Sequence, residues 1–228
     1  MNWVVNNTDS IITNLIAHLL LSVPPIILSF VISLPFGWFA NRYRWSRGTV
    51  LTALGVLYAI PSLAMFILLP AILGIPLRST ANVIIGLTLY GIALMVRTTA
   101  DALGAVSEDV TQSATAMGYS AWARFWRVEF PLAGPVLLSG LRVVTVSTVS
   151  LVTVGAVLGI QSLGLLFTDG FQRGISGEII TGIVLTIALA LVLDGILVLL
   201  GRLLMPWTAV DRARSKRRAA RVEKAVTA

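Results

Sequence analysis

The 228-residue sequence has no cysteine, one histidine, and charge on only 12% of its residues. Without cysteine, disulfides, thiolate chemistry and cysteine-ligated metal sites are excluded. The lack of a histidine cluster and of paired intramembrane carboxylates argues against a membrane enzyme. No "GxxxxGK[ST]" phosphate loop is present, so the chain is not its own ATPase of that class. No Lys or Arg precedes the first apolar run, so "MNWVVNNTDS" lacks the basic start of a cleaved secretory signal, and the first segment is expected to be retained.

What is abundant is apolar sequence: 57% of residues are hydrophobic, which marks an integral membrane protein. A hydrocarbon layer of about 30 Å needs about 20 apolar residues. Five runs approach that length, at 19–40, 50–69, 81–96, 143–160 and 179–201. The expected fold is therefore all-α with about five transmembrane helices. It divides into an extracytoplasmic segment 1–18, a membrane domain 19–205 that includes a polar stretch 98–131, and a basic tail 206–228.

Charge placement orients this fold. Arg42, Arg44 and Arg47 follow the first run, Arg124 and Arg127 lie in the polar stretch, and Arg212, Arg214, Lys216, Arg217, Arg218, Arg221 and Lys224 crowd the tail. The opposite loops hold only Arg78 and Arg173, against Asp9, Asp169 and Glu178. Five spans and the positive-inside bias then agree on an N-terminus outside and a C-terminus in the cytoplasm. The tail has no aromatic residue for base stacking, so it reads as a lipid-facing anchor and not as a nucleic-acid site.

Several spans are interrupted. Pro61 in "YAIPSLAMF" should kink or break the second, and freed backbone groups survive in a bilayer only against protein or a wet cavity. Tyr58, Pro61, Ser62 and Met65 thus become candidates for lining a pathway, with a packed kink as the alternative. In the fourth span, "RVVTVSTVSLVTVGAVLG" puts Thr145 and Thr148 on one face, as either a polar lumen or interhelical packing. Arg142 and Asp194 lie at similar depth and are expected to pair, since an unpaired charge there is costly. Arg97 and Asp101, at i and i+4, form a second possible pair, and His18 is expected at the membrane interface.

The polar stretch reads as two short helices. Ser107, Glu108 and Asp109 suit a helix start, Gly118 suits its end, and Ser120 can cap a second helix carrying Trp122, Phe125 and Trp126 toward Pro131. Chemistry alone allows an interfacial hairpin or a plug for a partner's groove.

"QSATAMG" followed by "FWRVEFPLAGPVLLSG" resembles the EAA-type signature of type I ABC transporter permeases. Gln112, Ser113 and Ala114 stand where that pattern has Glu-Ala-Ala, Gly118 is its glycine, and Phe130-Pro131 its terminal apolar-Pro pair. "AIPSLAMF", "RTTADALGAV" and "LLFTDG" are similar to the osmoprotectant branch, and the likeness spans 19–204. The resemblance implies a permease subunit that imports glycine betaine, choline, carnitine or proline-like solutes. It also implies that Glu108, Asp109, Gln112, Ala114, Gly118, Trp122, Phe125 and Pro131 couple the subunit to a separate cytoplasmic ATPase that uses ATP and Mg. This chain would bind no cofactor or metal itself. The further partners implied are a second permease subunit, identical or homologous, and an extracytoplasmic solute-binding protein. Gln112 departs from the pattern's glutamate, and Glu108 and Asp109 one turn upstream could supply the charge. A type I permease for amino acids such as methionine, and a membrane scaffold that recruits a cytosolic protein, are the competing readings.

Overall fold

A computed structural model describes residues 2–207, so the basic tail beyond Trp207 lies outside the described residues. The described chain is helical: α1 (Asn2–Asn6), α2 (Thr8–Arg42), α3 (Arg44–Ala59), α4 (Ser62–Leu73), α5 (Thr80–Gly104), α6 (Glu108–Ala116), α7 (Ala121–Arg124), α8 (Phe130–Val152), α9 (Gly164–Arg173) and α10 (Ser176–Leu204). A π-turn at Phe125–Glu129 fuses α7 to α8, and a 3₁₀ segment at Thr153–Leu158 ends that column.

Among the described residues, four helical stretches are long and apolar enough to span a membrane: Thr8–Arg42, Thr80–Gly104, Ala121–Leu158 and Ser176–Leu204. α3 and α4 qualify only together, as a pair bent by 103°. Two expected span limits were too tight. The third helix runs through Arg97 to Gly104, and the fourth column begins at Ala121, well before residue 143. A hydropathy window stops at a charged residue, whereas the hydrogen-bond ladder of a helix does not. The segment 1–18 is not separate either, because α2 begins at Thr8 and carries residues 8–18 into the bundle.

α5 is the centre of the bundle and packs against α2, α8, α3 and α4. Small residues allow these approaches: a Cβ on Gly91 would lie 2.5 Å from Ser29 Cβ, and one on Gly140 would overlap Thr98. Close backbone approach is how helices associate where lipid supplies no hydrophobic drive. One core cluster joins Met95, Leu103, Phe125, Leu137 and Val144 near α7, and another joins Leu21, Phe66, Val83, Leu87 and Val152 toward the other end.

Side chains of α5 take up carbonyls at and beyond the break between α3 and α4. Tyr90 donates its hydroxyl to the carbonyl of Ile60, just before Pro61. Pro70 has no N–H to give to the carbonyl of Phe66, and the Asn82 side-chain amide donates to that oxygen instead, at 2.8 Å. A second bond from the same amide reaches the Leu77 carbonyl at 3.0 Å. Two side chains of α5 thus hold the bent pair against the bundle.

Candidate functional site

The polar stretch folds as a joint between α6 and the α7–α8 column. α6 starts at Glu108, although the Ser107 hydroxyl makes no capping bond there. Its end is a Schellman cap: Tyr119 N–H bonds the Ala114 carbonyl at 3.1 Å, and Gly118 N–H bonds that of Thr115 at 2.9 Å. That cap places Gly118 at φ +86°, in the left-handed region that glycine tolerates, with no atom within 4 Å of where a Cβ would stand. Ser120 then caps α7, its Oγ accepting from Ala123 N–H at 3.3 Å.

The second helix does not stop at Pro131. α7, the π-turn and α8 form one column, and the wide turn lies directly ahead of Pro131 in the first turn of α8. There Phe130 N–H bonds the Phe125 carbonyl five residues back. Because proline has no N–H and its ring displaces the carbonyl four residues earlier, a one-residue register slip lets the helix pass through it. At about 1.5 Å per residue, the 38 residues from Ala121 to Leu158 span about 57 Å.

Arg124 locks the joint: its Nη1 donates to Thr115 Oγ1 at 2.8 Å and its Nε to Glu129 Oε1 at 2.7 Å. This tie between α6, α7 and the π-turn was not identified from sequence, where Arg124 served only as a topology charge. The eight coupling candidates separate clearly. Glu108, Asp109, Gln112 and Gly118 are exposed, as is Trp122 at 74%, while Ala114 is buried on the inner face of α6 and Pro131 is half-buried. Phe125, expected as a docking contact, is instead buried in the bundle core with Leu103, Ala133 and Leu137. It lies three positions after Trp122, and the two rings, one in the core and one on open surface, are linked by the edge-to-face contacts of Trp126 with both.

The pathway candidates also divide. Tyr58 and Pro61 are exposed and Ser62 half-buried at the α3–α4 break, with Tyr58 edge-to-face on Tyr90. Met65, Thr145 and Thr148 are buried in the bundle and face no open surface in this conformation. Thr145 spends its hydroxyl on the Leu141 carbonyl at 2.8 Å. The hydroxyls on the open face of α8 are those of Ser139 and Ser150, with Ser147 and Thr153 at its margin.

Arg142 and Asp194 form a two-pronged ion pair between α8 and α10, Nε to Oδ1 at 2.6 Å and Nη2 to Oδ2 at 2.7 Å. Asp101 pairs with Arg47 of α3 at 2.6 Å, not with Arg97. His18 is fully buried, not interfacial. Its Nδ1 accepts the Leu163 N–H at 3.3 Å, which leaves Nε2 to donate to the Val149 carbonyl at 3.0 Å. That carbonyl is available because the helix tightens at Thr153, whose N–H bonds Ser150 and Leu151 instead. His18 therefore joins α2, the top of α8 and the entry to α9.

Residues 33–208 match the family model described as a binding-protein-dependent transport system inner membrane component. The chain belongs to that family. It is 30% identical over 204 residues to the osmoprotectant import permease protein OsmW of Salmonella typhimurium, covering 86% of this chain and 93% of that one. It is 29% identical to the glycine betaine/carnitine/choline transport system permease protein OpuCD of Bacillus subtilis, covering 83% of this chain and 82% of that one. Among solved structures, the inward-facing MetNI methionine ABC transporter shares the fold at a TM-score of 0.76 and 19% identity, over 87% of this chain and 98% of that one. The protein is thus a multi-pass membrane permease component of a type I ABC import system, a transport subunit and not an enzyme.

Proposed function

We propose that this subunit, paired with a second permease, imports small zwitterionic or quaternary-ammonium osmoprotectants of the betaine, carnitine, choline and proline type. The observation that carries the reading is the joint itself: an exposed α6, locked by Arg124 to a column that continues without interruption across the bundle. Placed in the cytoplasm by the positive-inside bias, the face bearing Glu108, Asp109, Gln112, Gly118 and Trp122 docks on a separate ATPase that binds ATP and Mg. Closure of the paired ATPases then displaces α6, and the column carries that movement past the Arg142–Asp194 pair to the His18 joint. Solute, handed over by an extracytoplasmic binding protein, passes Tyr58, Pro61 and Ser62 and the open face of α8 at Ser150. The names of the relatives favour osmoprotectants, while the MetNI-like fold keeps amino acids such as methionine as the second reading.

Uptake of labelled glycine betaine, choline, carnitine, proline and methionine into vesicles holding the purified complex tests the solute. Uptake of methionine alone would overturn the osmoprotectant reading. Orientation is tested separately in this cysteine-free chain: a cysteine at Thr8 should react with an impermeant thiol reagent in intact cells and one at Ser113 should not, and the reverse pattern overturns the placement of α6.

A further inference from the structure

α8 and α10 run antiparallel, as successive contacts show: Gly134 lies against Met205, Leu138 against Gly201, and Arg142 pairs with Asp194. Between them, toward the Leu204 end of α10, is a cleft of about 230 Å³ lined by Ser139, Arg142 and Arg202 among others. Leu138, Gly201 and Met205 also line a second cavity of about 390 Å³, which extends to Phe30, Leu200 and Trp207 and is walled almost wholly by apolar side chains. A cleft with three polar side chains and an almost wholly apolar cavity therefore share a wall.

Helical side chains lean toward the N-terminus of their helix, so on antiparallel helices Arg142 and Arg202 lean toward each other across the cleft. Asp194 neutralises Arg142, and among the described residues Arg202 has no hydrogen-bond or ion-pair partner. Among the described residues the cleft thus carries one uncompensated positive charge beside an apolar cavity, at the end of a span that closes on Trp207, the residue type enriched at the headgroup level. Basic pockets between transmembrane helices at this depth suit lipid headgroups.

We propose that this cleft holds the phosphate of an anionic phospholipid from the leaflet on the Leu204 side, with an acyl chain in the adjoining cavity. A soluble anion would satisfy Arg202 but leave the apolar cavity unfilled. An apolar surface of a second copy would fill the cavity but strip water from Arg202 without supplying a counter-charge. An anionic amphiphile meets both requirements. The inference uses neither the solute nor the ATPase, only the fact that the chain crosses a bilayer.

The test uses the purified full-length permease complex, stripped of lipid, then equilibrated with dioleoylphosphatidylglycerol or dioleoylphosphatidylcholine and weighed by native mass spectrometry. The wild type should retain phosphatidylglycerol in preference to phosphatidylcholine, inorganic phosphate should not displace it, and Arg202→Lys should keep most of the preference. Arg202→Gln should weaken phosphatidylglycerol retention about tenfold, the scale of one lost charge-assisted bond. Leu200→Trp, which fills the apolar cavity, should lower retention while Arg202 remains in place. Undiminished preference in Arg202→Gln overturns the proposal. So does full retention in Leu200→Trp or displacement by inorganic phosphate, either of which would mark a site for a free anion. Efficient disulfide formation between two copies carrying Leu200→Cys in native membranes overturns it too, by showing that a second copy covers the cleft.

Discussion

The two ends of the α7–α8 column are built on opposite principles. At the α6 end, the joint is an exposed surface held by one glycine cap and one arginine, Arg124, and its important side chains face outward. At the other end, His18 is enclosed and its two ring nitrogens satisfy two backbone groups that no helix ladder serves. The first end is suited to being gripped by something outside the chain, and the second to keeping α2, α8 and α9 in register when the column moves. A surface joint can lose a side chain and remain folded, whereas an enclosed one cannot. Substitutions at the two ends should therefore separate stability from coupling.

The largest effect is expected where the column enters the core. Phe125→Ala removes a buried ring from the cluster with Met95, Leu103 and Leu137, and should cost about 3–5 kcal/mol. Thermal unfolding in detergent would show it as a large drop in Tm, together with poor recovery from membranes. A Tm equal to that of the wild type would mean the ring docks outward, and the contrast between the two ends would fail.

His18→Leu comes next. It keeps an apolar side chain of similar bulk but leaves the Val149 carbonyl and Leu163 N–H without partners, at about 1–3 kcal/mol each. The unfolding temperature should fall, and uptake should fall with it even at matched membrane expression. An unaltered Tm would show that these backbone groups find other partners and that His18 is not a clamp.

The α6 end was the more legible in sequence because its signals are local. Gly118 between two polar helices and Ser120 at a cap each act within a few residues, so motif and structure coincide there, whereas Pro131 did not reveal the π-turn that carries the helix through it. The Arg142–Asp194 pair was legible for a related reason: two isolated charges in apolar runs at matching depth have few other partners. His18 was not legible, because its partners are backbone groups 131 and 145 residues away, and one is freed only by a 3₁₀ turn that hydropathy does not mark. For Thr145 and Thr148 the sequence left a polar lumen and interhelical packing both open, because helical spacing groups residues on a face but does not say whether that face meets α5 or open space; both side chains are buried. The Arg47–Asp101 pair was missed in favour of the sequence-local Arg97 because the fold brings α3 beside α5.

Gly118 sharpens the comparison by distinguishing angle from volume. With φ at +86° and open space where a Cβ would stand, Gly118→Ala and Gly118→Leu should be similarly harmful, each at about 1–2 kcal/mol of local backbone strain. Insertion and core stability should be nearly intact, since the position lies outside the packed bundle. Co-purification of the ATPase should fall for both. If Ala were harmless and Leu severe, the determinant would be the space occupied against the partner, and the left-handed cap would be incidental.

The smallest change in stability and the clearest change in coupling are expected at Trp122. Its side chain is 74% exposed, and its contact with Trp126 is a single edge-to-face pair on the outer surface of α7. Trp122→Ala should therefore shift unfolding by no more than about 0.5 kcal/mol, the usual scale for a surface substitution away from caps and cores. If that ring enters a groove on the ATPase, its removal takes away the kind of aromatic anchor that dominates interfaces, and should weaken subunit recovery by a factor of ten or more, about 1.4 kcal/mol. Comparing Trp122→Ala with Phe125→Ala at matched membrane expression thus sets two aromatic residues of one helical turn against each other. Lost ATPase with an unchanged Tm at Trp122, beside a lowered Tm at Phe125, is the expected pattern. Full ATPase recovery in Trp122→Ala would instead assign the exposed ring to the membrane interface and leave Glu108, Asp109 and Gln112 of α6 to carry the docking.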